Sequence, residues 1–308
     1  MQNFKNFFEK KNISFSKNLS FSTPNRLLIL FEGIKTEIKE KEEEVRGPKI
    51  DAPEKALDGF LRSHNFKKTD LYKKESDKGI FYFVKKPPKT IKVSYLLNKN
   101  IPSILDGISW KKSMKWGDFQ LYWARPLKSI LAIFNKKNLL FKYHHLQSSN
   151  LTFVDKDFED KKKSFNNFKL YIDYFKKFQI VIDQNKRKKF IELELLKKSK
   201  RKNLTIEISD KLLNEVTDLV NKPNILACKF DDKFLQIPKE ILITTMQFHQ
   251  KYFHTFDNKG NITNNFLVVA NNKDNKGFIK SGNERVVNAR LSDAQFFWEK
   301  NKSNNLVK

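Results

Sequence analysis

The sequence predicts an α+β fold, with short strands and helices interleaved along the chain. Three observations carry this. Apolar runs of strand length recur, such as Leu27–Phe31, "IFYFVKK" (80–86) and "NNFLVVAN" (264–271). Between them lie segments whose apolar residues return every three or four positions, as in "KLLNEVTDLVN" (211–221) and "KEILITTMQFHQKYF" (239–253). The chain also has material for a core, 39% hydrophobic residues with 29 Phe among 308, which excludes global disorder.

The elements follow in order. Residues 3–12 form a short helix ending before Asn12. Ser22-Thr23-Pro24 is a turn that feeds the strand Leu27–Phe31. "KTEIKEKEEEVRGPKI" (35–50) is a charged strand end and loop, broken at Gly47-Pro48. "DAPEKALDGFLRSHNF" is a helix capped by Asp51, with Pro53 in its first turn and Ala56, Leu57 and Phe60 as its buried stripe. "IFYFVKK" and "TIKVSYLL" pair as strands across Pro87-Pro88, and "IPSILDGI" (101–108) is a short helix. "DFQLYWARPLKSILAIFN" holds strands to Tyr122 and through Phe134, with a break at Arg125-Pro126. Residues 136–165 are polar and irregular. Helices at 166–177 and 183–199 flank a strand "FQIVI". Beyond them come "LTIEIS", the helix at 211–221, the strand "NILACKF", a strand end "FLQIP", the helix at 239–253, the buried strand "NNFLVVAN" and a last helix from "SGNERVV". These elements group as 1–135, 136–202 and 203–308.

The net charge of +26 and a pI near 9.8 point to a polyanionic partner. Only eight of the 61 basic residues are arginine, however. Lysine lacks the planar fork that binds two acceptors at once, so the excess fits biased coding as well as it fits selection for binding. The best binding element is the basic helix, with "KRKK" (186–189) and "KKSKRK" (197–202). Its cations face outward if Ile191, Leu195 and Phe190 face the core. Lys186, Arg187, Lys188, Lys189, Lys197, Lys198, Lys200 and Arg201 are therefore the candidate RNA contacts, against the alternative of a solvated lysine face. Trp116, Tyr122 and Trp123 have rings that can stack on bases, although in strands such residues more often pack in a core.

Signals for catalysis are weak. His249 and His254 are five apart, which misses the ~3 or 4 residue step of a helical metal pair. His144 and His145 are adjacent and point to different faces. "GNER" (282–285) lacks the repeated glycines of a phosphate loop. The single cysteine, Cys228, sits in an apolar run as a packing residue and excludes a disulfide framework. No apolar run reaches the ~20 residues of a membrane span, and the basic N-terminus has no apolar signal core, so a cytoplasmic protein is expected.

Five phrases, in order and spacing, resemble the β subunit of the bacterial heterotetrameric glycyl-tRNA synthetase: "STPNRLLIL" (22–30), "RGPKIDAPEKALDGFLRSH" (46–64), "KSMKWGDFQLYWARPLKSILAIF" (112–134), "NEVTDLVNKPNILACKFDDKFLQIPKEILITTMQFHQKYF" (214–253) and "SGNERVVNARLSDAQFF" (281–297). Asn25 and Lys115 each stand where the family carries arginine. "SSNLTFVDKDF" (148–158) keeps Ser149, Thr152 and Phe158 but lacks the family's Gly-His-Arg. The resemblance covers nearly the whole chain but only the N-terminal part of the family's subunit. A first strand, an HD-type domain and a C-terminal helical domain like an anticodon-binding module are expected to be missing, as in a fragment.

The resemblance implies a fold like the B3/B4-type domain of the phenylalanyl-tRNA synthetase β subunit. It also implies a division of labour. The α subunit, with ATP and Mg, would activate glycine. The β subunit would support recognition of tRNA(Gly) within an α2β2 tetramer, this chain alone being non-catalytic and binding no cofactor or metal. Two rival roles are an editing-like hydrolase of mischarged aminoacyl-tRNA, using His249 or Thr245, and an α-subunit docking module with no tRNA contact. The motif residues of open role are Arg26, Trp116, Arg125, His249, Gln250, Tyr252, Phe253, Asn283, Glu284, Arg285, Arg290 and Asp293.

For the last helix the expectation is specific. Ser281 or Asn283 caps it, Gly282 permits a tight start, and Val287, Leu291, Ala294 and Trp298 form one apolar stripe. Arg290 and Asp293, three apart, pair and fix how the helix docks, while Arg285 is the lesser candidate for contact with tRNA or the α subunit.

Overall fold

A computed structural model describes residues 1–39, 43–76, 79–154 and 161–303. Phe158 lies outside the described residues. Helices and short antiparallel strands are mixed along the chain, so the fold is α+β. Packing divides the chain into two compact units. One comprises 1–17 and 31–166, and the other 18–30 and 167–308. This is a different division from the three segments read in the sequence. Helix 184–200 packs with the elements that follow it, which places it in the second unit.

The first unit begins with α1 (Gln2–Lys10), whose Phe8 is buried and meets Phe31 edge-on with ring centroids 4.8 Å apart. The hairpin β1 (Lys17–Thr23) and β2 (Arg26–Glu32) follows α1, and its residues 18–30 belong to the second unit. Next come β3 (Glu37–Lys39), β4 (Glu43–Lys49), α2 (Glu54–His64), β5 (Leu71–Ser76), β6 (Gly79–Lys86), β7 (Thr90–Lys92) and α3 (Val93–Asp106). β4, β6 and β5 form an antiparallel sheet in the order 4-6-5, and β3 pairs with β7.

Several expectations are corrected here. Gly47-Pro48 does not end the strand; both lie in β4 at a register shift between Arg46 and Lys49, where a proline loses no ladder bond. A Cβ at Gly47 would lie 2.9 Å from the Phe60 ring, so the close approach of helix and strand requires glycine. Pro53, not Asp51, caps α2; Ala56 is exposed, and Leu61 is the buried residue. "VSYLL" and "IPSILD" are one helix, α3, with Pro102 inside. Burial of Val93, Leu96, Leu97, Ile101 and Ile104 along one stripe outweighs a proline cost of about 3 kcal/mol.

From residue 114 the first unit is made of small hairpins: β8 (Met114–Lys115) with β9 (Tyr122–Trp123), β10 (Ile133–Phe134) with β11 (Lys137–Asn138), β12 (Lys142–Tyr143) with β13 (Leu146–Gln147), and β14 (Leu151–Phe153) with β15 (Lys162–Ser164). The expected longer strands shrink to these. Asn135 and Lys136, both at positive φ, turn one hairpin tightly. Buried Ser148 ties two of them, accepting from the Phe141 N–H and donating to the Leu139 carbonyl, each at 2.8 Å.

The second unit contains α4 (Phe168–Lys177), α5 (Gln184–Lys200), β16 (Thr205–Ile206), α6 (Asp210–Leu219), β17 (Asn224–Lys229), α7 (Lys239–Thr244), β18 (Phe253–Phe256), β19 (Ile262–Ala270) and α8 (Phe278–Ser303). The sheet runs β16-β18-β19-β17, antiparallel throughout. Alternate residues of its inner strands serve two cores. Ile225 and Leu267 face α5 and α6, packing with Ile191, Leu195 and Leu213. Cys228, Phe266 and Val268 face α7 and α8, packing with Leu242, Met246, Val287 and Leu291. A strand buried on both faces needs the unbroken apolar run that "FLVVA" supplies. "FQIVI" and "FLQIP" are not strands. The first is a turn at Phe178 and Gln179 followed by an irregular link in which the Val181 N–H donates to the Asn221 carbonyl, and the second begins in a 3-10 turn, Asp232–Gln236. The helix at 239 ends in a π-turn, Thr245–His249, and Phe253 already belongs to β18.

Candidate nucleic-acid interface

Helix α5 carries the basic cluster, and its two faces differ. Asp183 starts it by accepting from the N–H groups of Asn185 and Lys186 at 2.9 and 3.1 Å. Arg187, Ile191, Leu195 and Ser199 recur every four residues and are all buried. On the opposite side Lys186, Lys189, Lys197 and Lys200 are exposed, and so is Arg201 just beyond the helix. Lys188 and Lys198 are half-buried at the flanks, Lys188 reaching the Asp210 carboxylate at 3.1 Å. Phe190, Leu193 and Leu196 are exposed among these lysines, so Phe190 faces solvent and not the core as expected.

Arg187 is the main correction. Its guanidinium donates to the carbonyls of Thr217 (2.9 Å), Val181 (2.6 Å), Ile182 (3.3 Å) and Ser22 (2.9 Å). It is wholly buried, so it is an internal brace and not an RNA contact. Burial lowers its pKa, while the carboxylates of Asp218 and Asp183 oppose that shift. The signal that could have found it is the four-residue step from 187 to 191, 195 and 199, which puts Arg187 on the apolar stripe.

Among the motif residues, Arg26, Tyr252, Phe253, Asn283 and Glu284 make contacts inside the fold. Arg26 lies over the Phe175 ring, 4.4 Å from its centroid. Tyr252 is buried and hydrogen-bonds Asn283, which in turn donates to the Ile279 carbonyl at 2.6 Å. Glu284 accepts from the Lys229 N–H at 2.9 Å, and Asn288 accepts from the Asp231 N–H at 3.0 Å. These side chains fasten α8 to the end of β17. Phe253 is buried in the sheet core. Gln250 is half-buried, and Arg125, His249 and Arg285 are exposed. Arg290 and Asp293 are both exposed and no ion pair joins them, so the clasp is made by Asn283, Glu284 and Asn288.

The start of α8 also differs from expectation. The helix begins at Phe278, and Gly282 is inside it. Gly277, at φ +73°, makes the turn before the helix. Asp274 accepts from the N–H groups of Ile279 and Lys280 at 3.1 and 2.8 Å, the role expected of Ser281 or Asn283. Val287 and Leu291 are buried and Ala294 and Trp298 half-buried, as the stripe predicts.

His144 and His145 form the turn between β12 and β13 and diverge, as adjacency predicts. His144 lies 3.7 Å from the Asp106 carboxylate, while His145 stacks on Phe119 at 3.6 Å between ring centroids. His254 is buried in the sheet, and burial lowers its pKa. Burial pushes the Cys228 thiol up to about 12, so it is no thiolate nucleophile near neutral pH. Thr245 is buried and His249 exposed on the same π-turn.

A family profile described as the glycyl-tRNA synthetase beta subunit matches residues 1–308. The chain belongs to the glycyl-tRNA synthetase beta subunit family. Among its relatives, the glycine–tRNA ligase beta subunit of Rickettsia felis is 35% identical over 299 residues, covering 96% of this chain and 45% of the relative. Those of Rickettsia peacockii and Rickettsia prowazekii are each 36% identical, over 295 and 297 residues, covering 96% of this chain and 44% of each relative. The chain thus spans less than half the length of these curated relatives.

Asn25 and Lys115, the two positions expected to differ from the family, are both exposed. Asn25 sits in the β1–β2 turn, its N–H donating to the Thr23 hydroxyl at 3.3 Å. Lys115 is exposed in β8. Of the residues kept from the 148–158 block, Ser149 caps its own turn by accepting from the Leu151 N–H at 3.0 Å, and Thr152 pairs with Lys163 across β14 and β15. Among the described residues no helix is long and apolar enough to cross a membrane.

Proposed function

We propose that this chain is the tRNA-recognising N-terminal portion of a glycine–tRNA ligase beta subunit, working in the cytoplasm. It would act with an alpha subunit in an α2β2 tetramer that attaches glycine to tRNA(Gly). The adenylate-forming site, with ATP and Mg, belongs in this reading to the alpha subunit. Fold-level similarity to the B3/B4-type domain of phenylalanyl-tRNA synthetase is part of the proposal.

The observation that carries the tRNA role is the outer face of α5. Lys186, Lys189, Lys197 and Lys200 project from one side of a helix whose other side is anchored in the core. A rigid row of cations can follow a phosphate backbone, and each phosphate neutralised adds to a salt-dependent affinity. Phe190, Leu193 and Leu196 between the lysines offer apolar contact with sugars or bases. The test is a glycylation assay with the alpha subunit and the rest of the beta subunit supplied. Replacing these four lysines by alanine in the full beta subunit should raise KM for tRNA(Gly) with little change in ATP-dependent glycine activation. Unchanged KM would refute the role of α5.

A further inference from the structure

The hairpins of the first unit line an open cleft of about 730 Å3. Trp116, Phe119, His145 and Phe153 form its aromatic walls, and Lys128 and Lys162 stand at its edge. The walls are fixed in place. The Trp116 indole N–H donates to the Trp123 carbonyl at 2.9 Å. Phe119 and His145 stack nearly parallel, 10° between planes, as one two-ring slab. Phe119 is still 46% exposed. Opposite cations crowd Phe153, with Lys128 and Lys162 ammonium groups 5.6 and 5.0 Å from its ring centroid.

This chemistry defines a ligand class. Aromatic slabs favour a flat ring that can stack, and adjacent ammonium groups favour an anion. A lipid chain would leave the lysines unmatched, and a bare polyphosphate would leave the rings unused. The volume is within the ~300–1,000 Å3 range of small-ligand pockets. We propose that this cavity holds one nucleotide, with its base stacked against the Phe119–His145 slab or Trp116 and its phosphate at Lys128 and Lys162. The unpaired nucleotide would come from RNA, and in that respect the inference rests on the tRNA-recognition reading above. The site is distinct from α5 in the second unit.

The test uses the 308-residue chain and its Phe119→Ala and Lys162→Ala variants, both changed at exposed side chains. Binding would be measured by anisotropy with a labelled single-stranded RNA octamer, with the same octamer annealed to its complement, and with tRNA(Gly), using AMP as competitor. Loss of a stacked ring should weaken single-stranded RNA and tRNA by about tenfold and leave the duplex unchanged. Lys162→Ala should weaken binding and reduce the salt slope by about one. Displacement by AMP would assign the cavity to a free nucleotide, and its failure to a nucleotide within a strand; both support the site. Wild-type-like affinity of both variants for every probe would overturn it while leaving the tRNA reading of α5 intact. Loss of octamer binding in the variants, with no tRNA binding by the wild type, would support the cavity and refute the tRNA reading. No binding of any probe by the wild type would refute both.

Discussion

In the second unit several interior side chains are bonded to backbone: Arg187 to four carbonyls, Glu284 and Asn288 to N–H groups at and just past the end of β17. In the first unit comparable side chains are left facing space, as with Phe119, His145, Lys128 and Lys162 around one cavity. An unmatched polar group is costly in a three-layer arrangement with a sheet buried on both faces, and these side chains are matched there, although both ring nitrogens of His254 are buried without a hydrogen bond. Two-residue hairpins bury less and leave gaps between rings. The contrast teaches that a buried polar residue in the second unit is read first as a fastener, and that ligand contact is sought on the outer face of α5 and among the hairpins.

The largest effect expected from this contrast is at Arg187. Arg187→Ala would take the guanidinium from four carbonyls, two in buried and two in part-buried bonds, and should cost about 3–5 kcal/mol, seen as a lower denaturant midpoint. A loss below about 1 kcal/mol would show that the brace is dispensable. Next is Asn283→Ala, which removes the bonds to Tyr252 and Ile279. About 1–2 kcal/mol should be lost in equilibrium unfolding, with little change in tRNA affinity. A selective loss of tRNA binding would move Asn283 from fastener to contact.

A smaller effect concerns acid. His254 is buried, with its pKa lowered. As pH falls through about 6.5 the unfolded chain takes up a proton that the folded chain resists, so stability present above that pH is lost below it. His254→Leu should flatten this part of the stability–pH curve in urea titrations at stepped pH. An unchanged curve would assign the acid loss elsewhere. The smallest effect is at Arg290, which is exposed and without an ion pair to Asp293. Arg290→Ala should change stability by less than about 0.5 kcal/mol.

The fold class and the sheet strands were legible because their signals are local. "FLVVA" is apolar at every position since both faces of β19 are buried. Helix ends were not. Gly282 looked like a breaker, but a glycine inside a helix costs only about 1 kcal/mol, and Asp274 with the bonds to β17 outweighs that. Arg187 was hidden in "KRKK", where like charges mask which one lies on the apolar stripe. The pairing of Arg290 with Asp293 follows from spacing alone, but both side chains sit away from the core, where water competes for them. The stack of His145 on Phe119 joins residues 26 positions apart, and no periodicity reports such a contact.

The most direct test of the account is the salt dependence of tRNA(Gly) binding by this chain and by its Lys186→Ala, Lys189→Ala, Lys197→Ala, Lys200→Ala combination. The account predicts weaker binding and a log–log salt slope shallower by about one for each lysine that meets a phosphate, with unfolding stability little changed. An unchanged slope and affinity would contradict it, leaving the outer face of α5 as a solvated lysine surface.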